Sequence, residues 1–130
     1  MCIFCDIIDN KIPSKKIYED DDILAILDIS QATKGHALVI PKKHFDNITE
    51  VDKDTLSKLT SIAQDLAIQI TNRLNAKGFN LLVNTNEAAG QTVKHMHLHI
   101  LPRYEDDNLT MIFKENDYDL DELLKQIKPQ

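Results

Sequence analysis

The chain is poor in several features that mark protein classes. Three glycines and four prolines in 130 residues exclude a collagen-like or low-complexity chain, and the 42% hydrophobic content excludes a disordered one. No apolar run approaches the roughly 18 residues of a membrane span; the longest are short, such as Ala37-Leu38-Val39-Ile40. No basic flank opens the chain, which reads Met1-Cys2-Ile3-Phe4-Cys5-Asp6, so a secretory signal is not expected. Basic residues are outnumbered 15 to 21, for a net charge of −6. A positive field for a nucleic-acid polymer or an anionic membrane is therefore missing, although a small phosphorylated ligand held by a few local donors is compatible. Two cysteines without a signal peptide point to the cytoplasm and free thiols rather than a disulfide framework. With no repeat or linker, the length fits one domain able to bury a core.

The pattern along the chain predicts an α+β fold, an antiparallel sheet carrying one long helix. Ile17-Tyr18 and Ile23 to Leu27 read as strands around the acidic turn Glu19-Asp20-Asp21-Asp22. Asp28 to Gly35 is a polar loop, and His36 to Ile40 a strand closed by Pro41. Leu56, Leu59, Ile62, Ala63, Leu66, Ala67, Ile70 and Leu74 form one stripe at spacings of 3 and 4, predicting a helix over Lys53 to Ala76 capped by Asp52 and stopped by Gly78. Phe79 to Asn84 and Val93 to Leu101 read as strands, the latter closed by Pro102, and Leu120 to Ile127 as a short helix.

Five histidines stand out: His36, His44, His95, His97 and His99. The last three alternate within His95-Met96-His97-Leu98-His99-Ile100-Leu101. On a strand they share one face, while Met96, Leu98 and Ile100 can enter the core. Such a face can be solvated, can clamp a metal or can do chemistry. Imidazole is largely neutral near pH 7 and is a nucleophile without further activation. Neighbouring imidazoles, or an amide such as that of Gln91, can donate to charge developing on a phosphoryl group. No serine or cysteine nucleophile motif points to acyl transfer. The pair Cys2-x-x-Cys5 leaves metal binding and redox use open, although the helix that usually follows a redox pair is not evident.

Gly90-Gln91-Thr92-Val93-Lys94-His95-Met96-His97-Leu98-His99-Ile100-Leu101-Pro102-Arg103 resembles the signature of the histidine triad (HIT) family, together with its upstream Gln. Asp28 to His44 and Ile12 to Asp20 resemble two further blocks of that family, in order, so the likeness spans residues 2–104. It implies a HIT domain over 1–104 and a C-terminal tail, 105–130, belonging to the same domain. The implied fold is a five-stranded antiparallel sheet with one long helix and a short one, in homodimers whose sheets join into ten strands. The implied activity is nucleotidyl hydrolysis or transfer at a nucleoside 5′-phosphoryl group without a catalytic cofactor. His97 would be the nucleophile at the α-phosphorus. His99 would contact the phosphate, with His36 beside the triad, and Gln91 and Thr92 near the phosphate and leaving group. Asn84 would lie near phosphate or ribose and Asp28 would bind the ribose hydroxyls. Ile7, Ile26 and Ile29, with Phe4 a weaker candidate, would line the base pocket.

Some family members resemble this chain in pairing the N-terminal cysteines with histidines at the positions of His44 and His95. This implies a structural zinc site of Cys2, Cys5, His44 and His95, closed and non-catalytic. His95 can serve it only if it is carried away from the substrate, at the end of its strand. The resemblance leaves two substrate classes open, a purine nucleoside phosphoramidate releasing AMP or GMP, and a dinucleoside polyphosphate. The opening hairpin favours the first and the Gly90 to Arg103 block the second. A zinc-stabilised nucleotide-binding protein with incidental turnover is the reading from another class. A transferase acting on a sugar phosphate is disfavoured by His99, which those relatives replace with Gln.

Overall fold

The structure is a computed structural model that describes residues 2–128. In chain order it consists of α1 (Ile3–Ile8), β1 (Lys16–Glu19), β2 (Ile23–Leu27), β3 (Ala37–Pro41), α2 (Lys53–Leu74), β4 (Gly78–Leu82), β5 (Leu98–Arg103) and α3 (Leu120–Ile127), with short 3₁₀ turns at Ile48–Glu50 and Glu87–Ala89. The five strands form one antiparallel sheet in the order β1-β2-β3-β5-β4.

Both faces of the central strands are covered, which is why β2 and β3 read as nearly continuous apolar runs rather than alternating ones. Ile23, Ala25, Ala37, Val39, Leu98 and Ile100 face the stripe of Leu59, Ala63, Leu66, Ala67 and Ile70 on α2. Leu24, Ile26, Leu38 and Ile40 face Phe4 and Ile7 of α1. The α2 stripe is the one expected, and Asp52 caps it by accepting the Thr55 N–H at 3.0 Å. The residues of α3 stand exposed or half-buried.

Several boundaries differ from expectation. α2 stops at Asn75, which sits in the left-handed region at φ 57°, and not at Gly78, which opens β4; asparagine adopts that conformation more readily than other non-glycine residues. β1 extends to Lys16–Glu19, and β4 ends at Leu82 and not Asn84. Pro41 is the last residue of β3, and Pro102 lies inside β5. β3 and β5 pair no further than Ala37 with Ile100, so Pro102 owes β3 no hydrogen bond. α1 was not expected after Cys2-x-x-Cys5; Cys2 caps it, its sulfur accepting the Cys5 N–H at 3.3 Å.

The largest difference is at the histidines. The strand predicted over Val93 to Leu101 begins only at Leu98. The preceding segment is drawn off the sheet by other bonds: the Met96 N–H donates to Phe45 O at 2.7 Å, and the Gln91 amide donates to Val93 O at 3.0 Å. Only His99 therefore lies on β5, opposite Leu38 and Leu82.

Candidate functional site

His36 closes the loop between β2 and β3, and Gln31 organises that loop. The Gln31 Oε1 accepts from Gly35 N–H and His36 N–H, and its amide donates to His36 O at 2.7 Å. Gly35 lies at φ +93°, where a side chain is strained, and a Cβ there would also push Leu74 Cδ1, 2.6 Å away, aside. The result is a directed chain of imidazoles. The Ala32 N–H donates to His36 Nδ1 at 3.2 Å, so the His36 proton sits on Nε2. That Nε2–H donates to His99 Nδ1 at 2.9 Å, which leaves the His99 proton on Nε2. The Asp28 carboxylate lies 3.5 Å from His36 Nε2.

His97 has the opposite tautomer. Its Nδ1–H donates to the His95 carbonyl at 2.7 Å, leaving the lone pair on Nε2. Burial pushes the His97 pKa down, and burial followed by the charges of His97 and His36 takes His99 down to about 4. Both rings are therefore neutral near pH 7, one with a free lone pair and the other with a free N–H.

These two imidazoles open on a cavity of about 360 Å³. Phe4, Ile7, Ile26, Asp28 and Thr92 line it, and Ile29 stands at it fully exposed instead of forming a buried wall. The residues expected at the base and ribose thus meet Thr92, His97 and His99 in one place, with His36 behind His99. Gln91 and Asn84 do not reach it: the Gln91 side chain bonds the backbone at Asp46 O, Val93 O and Asn86 N–H, and Asn84 lies beside Gly90. One residue, Gln31, was missed from sequence, and so was the contact of Phe4 with His97, whose ring centroids are 4.9 Å apart. Neither leaves a pattern in one sequence.

A second cluster lies on the other side of α1. The His95 Nε2–H donates to Pro41 O at 2.8 Å and the His44 Nε2–H to Asp46 Oδ1 at 2.9 Å. Each Nδ1 is left as a lone pair, and the two stand 3.1 Å apart. Cys2 Sγ is 3.2 Å from His95 Nδ1, and Cys5 Sγ is 3.4 Å from His44 Nδ1 and 3.6 Å from His95 Nδ1. Two lone pairs in such contact repel unless a proton or cation lies between them. Tetrahedral zinc with ordinary Zn–N and Zn–S bonds spaces its ligands by about 3.3–3.8 Å, so the donor set fits that ion. The thiols are unequal. Cys2 is pushed up by burial, but hydrogen bonds, that of the Cys5 N–H first, bring it below the ordinary value; burial and the Cys2 charge push Cys5 up to about 11. Asp46 holds the His44 pKa up, and burial lowers that of His95. In the irregular segment before β5, His95 turns away from the cavity that His97 faces, its Nε2–H held by Pro41 O and its Nδ1 beside the Cys2 sulfur.

Asp28, His36 and His99 also offer atoms within 4.8 Å of one another. There the His36 proton already fills the space toward His99, so this group is a hydrogen-bonded chain and not a ligand set. No described helix is long and apolar enough to cross a membrane.

Residues 9–106 match the HIT domain family. The chain is 44% identical over 129 residues to an uncharacterised HIT-like protein of Methanocaldococcus jannaschii, covering 98% of this chain and 99% of that one. It is 41% identical over 108 residues to "Adenylylsulfatase HINT3" of Arabidopsis thaliana, covering 83% of this chain and 55% of the plant protein. Among solved structures, a HIT family member from Bacillus subtilis superposes with a TM-score of 0.90 at 42% identity, covering 97% of this chain and 94% of that one. A zinc-bound histidine triad family protein from Mycobacterium smegmatis superposes with a TM-score of 0.80 at 39% identity, covering 93% and 86%.

Proposed function

The chain belongs to the HIT domain family, and from that premise we propose that it is a nucleotidyl hydrolase acting at the α-phosphorus of a nucleoside 5′-phosphoryl substrate, with a purine nucleoside phosphoramidate as its preferred substrate. One observation carries the reading: His97 is buried, neutral and tautomerically fixed with its Nε2 lone pair free, beside a His99 whose Nε2–H is also free.

The His97 Nε2 lone pair forms the bond to phosphorus as the P–N bond breaks. The leaving nitrogen keeps the bonding pair, takes a proton from solvent, which the water of the second step returns, and departs as the amine. Water then attacks the nucleotidyl-His97 intermediate, the P–Nε2 pair returns to the imidazole, and AMP or GMP is released. The His99 Nε2–H donates to the phosphoryl oxygens as their charge grows, the effect that makes preorganised donors effective. Asp28 would take the ribose hydroxyls, and Ile7, Ile26 and Ile29 would flank the base. Thr92 would meet the phosphate, with Gln91 and Asn84 acting there only if their loop rearranges. Exposed Lys94, two residues past Thr92, is the observation that favours a longer anionic leaving group, and so a dinucleoside polyphosphate as the second reading. "Adenylylsulfatase" as the description of a relative supports attack on an adenylyl phosphorus.

Cys2, Cys5, His44 and His95 would hold a zinc ion that supplies no step and pins α1 to the sheet, as the fit of the donor set and the zinc-bound relative support. Such thiols suit the reducing cytoplasm. A homodimer is supported by β4, an edge strand whose Phe79 and Leu81 are exposed, as is Ile68 of α2.

The test is release of nucleotide from adenosine 5′-phosphoramidate and, separately, from diadenosine tetraphosphate, with His97→Ala as control. Turnover of the phosphoramidate, lost on the order of a thousand-fold or more in the variant, is the expected result. Preference for the dinucleotide selects the second reading. A variant as active as the wild type, or no turnover of either compound, overturns the catalytic role.

A further inference from the structure

α1 lies between the two clusters and touches both. Its first turn is tied at Cys2 and Cys5, whose sulfurs belong to the candidate metal set. Phe4 stands between them, 7% exposed. Its ring meets His97 at 4.9 Å between centroids and 83° between planes, and His95 at 6.0 Å and 74°. Both are edge-to-face, an arrangement that aromatic rings favour.

His97 needs such a contact. Its one polar anchor among the described residues is the Nδ1–H bond to the His95 carbonyl, which restrains rotation about Cβ–Cγ at a single point and leaves the tilt of the ring to its packing. The His99 ring, at 4.9 Å and 63°, bounds one direction of swing. Phe4 supplies another. His95 is also double-ended: its ring reaches the sulfurs while its carbonyl holds the proton that sets the His97 tautomer.

We propose that Phe4 is a positioning residue for His97: held between Cys2 and Cys5, its ring fixes the plane of the imidazole, so that the metal centre sets the aim of Nε2 without touching substrate. This rests on His97 being the nucleophile. The same Phe4 ring also borders the cavity, so a contact with the base is the competing role. The two differ in kinetics: a base contact binds substrate and moves KM, whereas aiming the nucleophile moves kcat.

The experiment compares Phe4→Leu and Phe4→Ala with the wild type as zinc-loaded full chains, with zinc per chain measured by mass spectrometry. One readout is kcat and KM for adenosine 5′-phosphoramidate. The other is the long-range ¹H–¹⁵N spectrum of the His97 ring, with and without chelator under reducing conditions. The expected result is unchanged zinc content, kcat lowered by roughly ten-fold or more, KM within about two-fold, and a His97 Nδ1–H signal that broadens or splits. Chelation of the wild type gives the same spectral change. Should Phe4→Ala fail to fold, Phe4→Leu carries the test, since it keeps most of the apolar volume. A raised KM with unchanged kcat overturns the positioning role, as does a His97 spectrum untouched by both substitution and chelation. If the wild type turns over no nucleotide, the spectrum alone decides the role of Phe4, and only the hydrolase reading fails.

Discussion

Acidification should weaken this fold through one identifiable ring. His99 accepts the His36 Nε2–H on Nδ1, and burial together with its imidazole neighbours holds its pKa down to about 4, against an ordinary 6.5. Because the folded value lies below the unfolded one, the unfolded chain binds more protons between them. The contribution is therefore fully present above about pH 7, falls as pH drops through 6.5, and is exhausted below about 4. Water still reaches part of the ring and screens the effect, so the complete span corresponds to about 2 kcal/mol and the step from pH 7 to pH 5 to about 1 kcal/mol. Other groups titrate over the same range, including the metal-ligand candidates, which must lose protons to bind. The perturbation that isolates His99 is His99→Gln, which keeps an acceptor for His36 and removes the titration. Urea denaturation of both proteins at pH 7 and pH 5, followed by far-ultraviolet circular dichroism, gives the double difference. The wild type should lose about 1 kcal/mol more than the variant, with unchanged urea dependence of stability. Equal losses in the two proteins, to within a few tenths of a kcal/mol, would refute the assignment of a half-buried, neutral, hydrogen-bond-accepting His99.

Two further outcomes are expected. Gly35→Ala forces a side chain into φ +93° and against Leu74, Ile70 and Pro102; it should cost about 2–4 kcal/mol, seen as a fall in the calorimetric midpoint of roughly 5–15 °C. Asp46→Ala removes the acceptor that orients His44 and should weaken zinc binding by about 10–100-fold in a competition titration against a chromophoric chelator. Unchanged affinity there would mean that His44 does not need orienting.

What could be read from sequence followed the range of the interactions. The α2 stripe and its Asp52 cap depend on neighbours three and four residues away, and both appeared as expected. The histidines were legible as residues, and the alternation of His95, His97 and His99 singled them out. Their shared strand face was not correct, because the bonds that pull residues 93–97 off the sheet come from Phe45 O and from the Gln91 side chain. Such partners, distant or set by a loop, leave no periodic trace. The same displacement resolves how His95 can belong with Cys2, Cys5 and His44 while His97 faces the cavity. α1 escaped notice because six residues are too few to show a helical period and because its cap is a cysteine sulfur. Gln31 looked like any polar loop residue, and only the folded loop shows it holding His36.

The sheet order bears on how the chain reaches this state. β5 inserts between β3 and β4, so His36 and His99 meet across 63 residues of chain, and Cys2 and His95 across 93. Closing such long loops is slow relative to forming α2, and the contacts that close them form late. Both histidine clusters straddle that closure. A nascent chain still lacking β5 can carry folded α2 and the β2–β3 hairpin yet own neither cluster. An ion captured there would find the assembled scaffold rather than template it. Its effect should fall on the escape rate from the native state, a slower unfolding limb beside an unaltered refolding limb.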